Sequence, residues 1–354
     1  MIGTRLQRAR KCAGFSQRAL AEKVGLTNTA ISQFEKDERT PSSKTLLALA
    51  DACGLRVEYF FRPVALPLER PEFRKRSSLG VGAQEQIEAR ILERAERLVE
   101  LIEVFPERPV PPFEVPEGLP AVTTLDDVEA VADALRRVWC LGDDPIADLT
   151  ATLEERGLLV ITTPDPSGGR FDGLSARVGA LPVLVVGESW PGDRQRFTLA
   201  HELGHLILGD TLPEGLNVER ACNRFAGAFL APQAAVRRAL GSRRHHLHPQ
   251  ELAALKAEFG LSMRAWVFRA VNLHIIPEHT ATALHQQFTR NNWHRKEPGP
   301  ALAPETPTLH ARLVLRALAE DLIGESKAAE LCGMSGDQLE AWLSMEGGGA
   351  PPRL

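Results

Sequence analysis

Two histidines one helical turn apart, with a glutamate between them, constrain this chain more than any other feature. They interrupt an otherwise apolar run, Phe197-Thr198-Leu199-Ala200-His201-Glu202-Leu203-Gly204-His205-Leu206-Ile207-Leu208. Burying polar groups without partners costs roughly 2–7 kcal/mol each, so the row must share a partner. A helix puts residues i and i+4 on one face. His201 and His205 therefore present two imidazoles to one ion, and Glu202 lies beside the open coordination position. A zinc hydrolase needs this set: a Lewis acid that acidifies a water molecule, and a carboxylate that takes the proton and returns it to the leaving amine. Gly204, a poor helix former inside the motif, predicts a close backbone approach at the site. After a short Gly/Pro loop, a second helix brings Glu219 within reach as a third ligand. Asn223, one turn further on, can hydrogen-bond a ligand histidine and fix its tautomer. The expectation is one Zn2+ per chain, held by His201, His205 and Glu219, with Glu202 as general base.

The rest of the chain divides into segments. Residues 1–65 read as a compact unit of short helices, with Gly14 and Gly25 as stops and Ser16 and Thr27 as N-caps. Residues 66–122 read as an Arg- and Pro-flavoured linker containing an amphipathic helix at 84–105. The stripe of that helix (Ile87, Ile91, Ala95, Leu98, Leu101, Ile102, Phe105) suits either a short coiled coil between two copies or one helix laid on the body. Residues 123–290 form a second globular unit, with short strands at 158–162, 174–178 and 181–186 and helices at 124–140, 144–156, 192–209, 216–230, 249–259 and 262–273. A Pro-rich break at 291–308 precedes a small helical module at 309–345. That module has helix-Gly-helix spacing, but its acidic balance argues for packing or sensing rather than DNA contact.

Three runs carry a specific resemblance: Phe171-Asp172-Gly173-Leu174-Ser175-Ala176-Arg177, then Arg196 to His205, then Glu219-Arg220-Ala221-Cys222-Asn223-Arg224-Phe225-Ala226 with Phe229-Leu230-Ala231-Pro232. Together they resemble the ImmA/IrrE family of zinc metallopeptidases over about residues 143–235. The resemblance implies a His, His, Glu site, which carries over to Glu219. Cys222 stands where that family usually has Ala, and Ala231 where Met is common; both departures read as packing. The fold class expected is α+β and mainly helical: an all-α head, a zincin-like domain with a small sheet, and a helical C-terminal module. The single tyrosine, Tyr59, lies in the head, so no tyrosine of the second unit stabilises an oxyanion. Histidines 245, 246, 248, 274, 279 and 285 read as surface residues.

The head resembles the XRE, or lambda-repressor-like, helix-turn-helix. The matching residues are Ser16-Gln17-Arg18-Ala19-Leu20-Ala21, the Gly25-Leu26 turn, Ile31-Ser32-Gln33-Phe34-Glu35, and Pro41 before Thr45-Leu46-Leu47. With Thr27 capping the third helix, Asn28, Thr29, Ser32 and Gln33 face away from Ala30, Ile31 and Phe34. Asn and Gln suit paired contacts to adenine in the major groove. Gln17 is placed for a backbone phosphate, and Arg18 and Lys36 add charge. Charge agrees: residues 1–76 hold 15 Lys and Arg against 8 Asp and Glu, whereas the remainder holds 27 against 38. A basic head on an acidic body points to nucleic acid for residues 1–62 only.

Scattered cysteines at 12, 53, 140, 222 and 332, no long apolar span and a polar start lead to the expectation of reduced thiols, no membrane and a cytoplasmic location. The combined reading is a DNA-binding regulator fused to a zinc endopeptidase that cuts a protein substrate, a repressor being the expected one, in a stress or mobile-element response. Two rivals stay open: a transcription factor whose peptidase-like part is a non-catalytic sensor, and a head that docks the substrate repressor instead of DNA.

Overall fold

The computed structural model describes residues 2–62, 68–69, 79–166, 168–169 and 171–345. Most of the Arg- and Pro-flavoured segment after the head, and the Gly/Pro tail from 346, lie outside the described residues.

The head consists of α1 (Ile2–Cys12), α2 (Gln17–Val24), α3 (Asn28–Glu35), α4 (Ser43–Cys53) and a 3-10 turn, Val57–Phe61. Ser16, Thr27 and Ser42 each accept a backbone N–H three residues on, which satisfies the first turns of α2, α3 and α4. Gly25 and Gly54 close α2 and α4 in the left-handed conformation. Leu6, Leu20, Ile31, Leu49 and Phe60 fill its core.

A four-stranded sheet organises the body. Its strands are β1 (Leu68–Glu69), β2 (Leu159–Thr163), β3 (Gly173–Val178) and β4 (Leu181–Gly187), in the order β1-β3-β4-β2. Strand β3 pairs antiparallel with β4, Ser175 opposite Leu184, while β2 runs parallel to β4 with Leu159 opposite Val183. Alternation sorts the side chains by face. Val160, Leu184 and Val186 join one core; Leu159, Ile161, Val183 and Val185 join another.

The helices follow in chain order: α5 (Val81–Glu103), α6 (Asp127–Val138), α7 (Leu149–Glu155), α8 (Gly192–Leu208), α9 (Val218–Leu230), α10 (Gln233–Leu240), α11 (Pro249–Phe259), α12 (Met263–Asn272), α13 (Glu278–Arg290), α14 (Leu309–Ala319), α15 (Glu325–Cys332) and α16 (Gly336–Leu343). Helices α6 to α13 build the first core, and α5 with α14 to α16 builds the second. The protein is thus α+β and mainly helical, with a helical layer on each side of a small sheet. Among the described residues no helix is long and apolar enough to cross a membrane.

The stripe of α5 is occupied within the chain, which corrects the dimer alternative. Ile87, Ile91, Ala95, Leu98 and Leu101 are buried against the sheet and the C-terminal helices, leaving no apolar seam for a second copy there. The helix also begins three residues earlier than its spacing suggests, at Val81. Its opposite side carries the head. Glu96 is 2.7 Å from Arg5 Nη1 and 2.6 Å from Arg8 Nη1, contacts of charge rather than of aligned hydrogen bonds. Tyr59 donates to Glu93 at 2.9 Å, and Arg62 spans Glu93, Glu100 and Glu330. Although burial pushes it up, Glu93 is held below the usual carboxylate range by Arg97 and Arg62.

Candidate metal centre

Helix α8 lies against β3, β4 and α9. The approach is close because two positions lack a Cβ. At Gly173 on β3 a Cβ would overlap Thr198 of α8. At Gly204 it would press on Phe225 and on the Cys222 backbone of α9. Helix α9 is therefore drawn onto the face of α8 that carries the histidines, as Gly204 inside the motif leads one to expect.

That packing converges three donor side chains. His201 Nε2 lies 3.0 Å from His205 Nε2, and Glu219 oxygens lie 3.8 and 3.4 Å from the two nitrogens. Four donors at zinc distances of about 2.0–2.1 Å stand about 3.3 Å apart, so these separations and this donor set fit a tetrahedral zinc. His201 Nδ1 donates to Asn223 Oδ1 at 2.8 Å, which leaves Nε2 as the nitrogen with a lone pair aimed at the centre. His201 and Glu202 are fully buried, His205 is partly open and Glu219 is half exposed, so the centre is reached from the Glu219 side.

Two further residues lie at this centre that sequence reasoning did not place there. Ser175, on β3, donates to Glu202 Oε2 at 3.0 Å and orients the carboxylate. Cys222, read from sequence as packing, is buried and has Sγ within 4.8 Å of ligand atoms of both histidines. Its signal was present in the three-residue spacing from Glu219, which puts both on one face of α9. Of the six histidines read above as surface residues, His285 is half-buried between Phe268 and Phe288, and the other five are exposed.

In the head, Thr27 Oγ1 accepts from Ala30 N at 3.2 Å, and Arg18, Asn28, Thr29 and Lys36 are exposed. Ser32 and Gln33 are half-exposed on the next turn. Gln17 is engaged inside the head: its Nε2 donates to Glu35 Oε2 at 2.8 Å, and Glu35 also receives Arg10. The head meets α5 through Arg5, Arg8, Tyr59 and Arg62, so the turn-α3 surface is not the one used for docking.

Residues 6–60 match the family model of the helix-turn-helix, and residues 153–271 that of the IrrE N-terminal-like domain, a peptidase family. The chain joins these two domains. His201, Glu202, His205, Glu219, Ser175 and Cys222 all fall within the IrrE-like part. Among curated proteins the chain is similar to the HTH-type transcriptional regulator ImmR of Bacillus subtilis, 38% identical over 58 residues, 16% of this chain and 46% of that protein. It is 42% identical over 67 residues to the HTH-type transcriptional regulator PuuR of Escherichia coli, 19% of this chain and 36% of that one. The repressor protein C2 of Salmonella phage P22 is 37% identical over 62 residues, 18% and 29% of the two chains. The similarity spans less than half the length of each of these relatives.

Proposed function

We propose that this protein is a DNA-binding regulator with a zinc-dependent endopeptidase attached, which makes limited cuts in a protein substrate, a transcriptional repressor being the substrate its architecture suits best. The observation that carries the reading is the convergence of His201 Nε2, His205 Nε2 and the Glu219 carboxylate beside the buried Glu202. His201, His205 and Glu219 hold the metal. When bound, zinc supplies a Lewis acid that acidifies water and polarises a carbonyl. Glu202 accepts a proton at Oε1 or Oε2 and returns it to the leaving amine, Ser175 orients that carboxylate, and Asn223 keeps His201 in the right tautomer. The head supports DNA binding through Asn28, Thr29, Ser32 and Gln33 at base edges, with Arg18 and Lys36 near phosphates. The names of its regulator relatives support a role in transcription. Glu202→Gln should retain zinc by elemental analysis while cleavage of a co-incubated repressor falls by about 10²–10⁴. Cleavage that persisted would remove Glu202 from its role.

One observation favours a second reading. Cys222 Sγ is near enough to the histidines to act as a further donor. Four protein ligands make a closed, structural zinc site, whereas catalytic sites keep one position open. A closed centre would make the IrrE-like part a metal-dependent sensor without turnover. Cobalt substitution separates the two, because a thiolate ligand adds an intense charge-transfer band that an oxygen and nitrogen set lacks.

A further inference from the structure

A cleft of about 740 Å³ opens beside the metal centre and shares Asn223 with it. Its walls come from α8, α9, α12, α13 and the segment 293–301. In a chain of net charge -4, this cleft is lined by eight Lys and Arg against two carboxylates. Four of the cations, Arg220, Arg264, Arg295 and Lys296, are exposed and have no carboxylate within 4 Å among the described residues. Apolar rings alternate with them. Phe268 is 48% exposed with Arg264 lying over its ring, and Trp190 carries Arg194 at 3.4 Å. Phe197, one helical turn before His201, connects the aromatic lining to the motif helix.

The chain itself shows what this wall accepts. Glu297 reaches into the cleft, where its Oε2 takes Lys256 Nζ at 2.8 Å and Met263 N at 3.1 Å, and its Oε1 takes Arg264 N at 3.2 Å. One carboxylate therefore draws a lysine and the first turn of α12 together, and the unpaired cations beside it repeat the same chemistry towards solvent.

We propose that this cleft seats an acidic peptide segment with an aromatic or large apolar residue among its carboxylates, as the recognised part of the protein substrate. The proposal deepens the proteolytic reading and rests on it. The carboxylates meet Arg220, Arg264, Arg295 and Lys296, and the ring lies on Phe268. Charge of one sign in a cleft with apolar walls concentrates an oppositely charged partner and makes its capture salt-dependent.

The test uses full-length, zinc-loaded Glu202→Gln protein, so that binding is read without turnover. A fluorescein-labelled peptide Glu-Glu-Phe-Glu-Glu is titrated against its Gln and Lys counterparts. The acidic peptide should bind about tenfold tighter than the Gln peptide at low salt, several individually weak exposed pairs adding up to that. Arg264→Glu/Arg295→Glu/Lys296→Glu should remove the preference with melting temperature and zinc content unchanged. The pair Arg295→Glu/Lys296→Glu, confined to an exposed segment, should reduce it should the triple variant fail to fold. Equal affinity for the acidic and Gln peptides overturns the proposal. So does displacement of the acidic peptide by a single-stranded oligonucleotide at lower concentration than by unlabelled peptide. In wild-type protein, acidic peptides that bind without being cut would sink the proteolytic reading and leave the docking site standing. Equal kcat/KM on acidic and neutral peptides would do the reverse.

Discussion

Asn223 and His201, on neighbouring helices, meet at 2.8 Å through Oδ1 and Nδ1, which decides which imidazole nitrogen faces the metal centre. Asn223→Ala should fold normally, since it removes only one polar contact at the surface of α9. Its zinc affinity, measured by chelator competition, should fall roughly 10- to 100-fold. Unchanged affinity would mean that His201 is oriented by its burial alone.

Glu219 and Cys222 are rivals for the remaining protein donor. Glu219→Ala should lose more zinc affinity than Asn223→Ala does, because a ligand and not its support is removed. Cys222→Ala should keep the metal. If the losses came out the other way round, the ligand set would be His201, His205 and Cys222.

Ser175 acts through Glu202. Replacing Ser175 with Ala should lower kcat by about tenfold while leaving zinc content intact, the cost of one hydrogen bond to a charged group being about 1.5–3 kcal/mol at most. A purely structural serine would instead lower melting temperature and zinc content together.

Glu96 lies buried between Arg5 and Arg8 where the head meets α5. Removing it takes away the carboxylate beside buried Arg8 and the nearer of the two beside buried Arg5, which keeps Glu93 at 3.7 Å and Arg62 O. Glu96→Ala should therefore destabilise the junction by about 3–5 kcal/mol. Hydrogen exchange in α1 would report this as faster opening, with the metal centre unaffected.

Glu154 ties the Pro-rich segment to the body, its Oε2 accepting Thr308 N and Leu309 N, each at 3.0 Å. Burial raises its carboxyl from 4.5 to about 7, against the lowering effect of those two backbone donors. Because the folded value is raised, the folded state holds the proton more tightly. Stability from this group is complete below pH 4.5 and is lost as pH rises to about 7. The shift corresponds to roughly 3 kcal/mol at most. Glu154→Gln should accordingly raise the melting temperature at pH 8 and leave it nearly unchanged at pH 4.5, as calorimetry at the two values would show.

The motif helix, its partner α9 and the head were legible in the sequence because their signals are local. His201 and His205 are one turn apart, and Ser16, Thr27 and Gly25 mark helix ends by side-chain and backbone chemistry. Helices α10 and α13 were not foreseen. The first has only eight residues, and the second carries only Leu284 and Phe288 as large buried apolar residues. The partners of α5 were undetermined for another reason. A stripe such as Ile87, Ile91 and Leu98 says that something apolar covers it, but not whether that surface belongs to the same chain. Ser175 lies 27 residues before Glu202, and the cleft cations come from helices and a loop far apart in sequence. Only the packing of β3 and α9 on α8 brings such groups together.

Helix α5 offers its apolar side to the sheet that carries Ser175 and its acidic side to Arg5, Arg8 and Arg62 of the head. A different head could be grafted onto this body only if its α1 and closing turn supplied the same three arginines. Otherwise α5 would have to travel with the graft and bring a mismatched apolar side to the sheet. The two halves are therefore not freely interchangeable parts, and variation at Glu93, Glu96 or Glu100 should be matched by variation in residues 5–62.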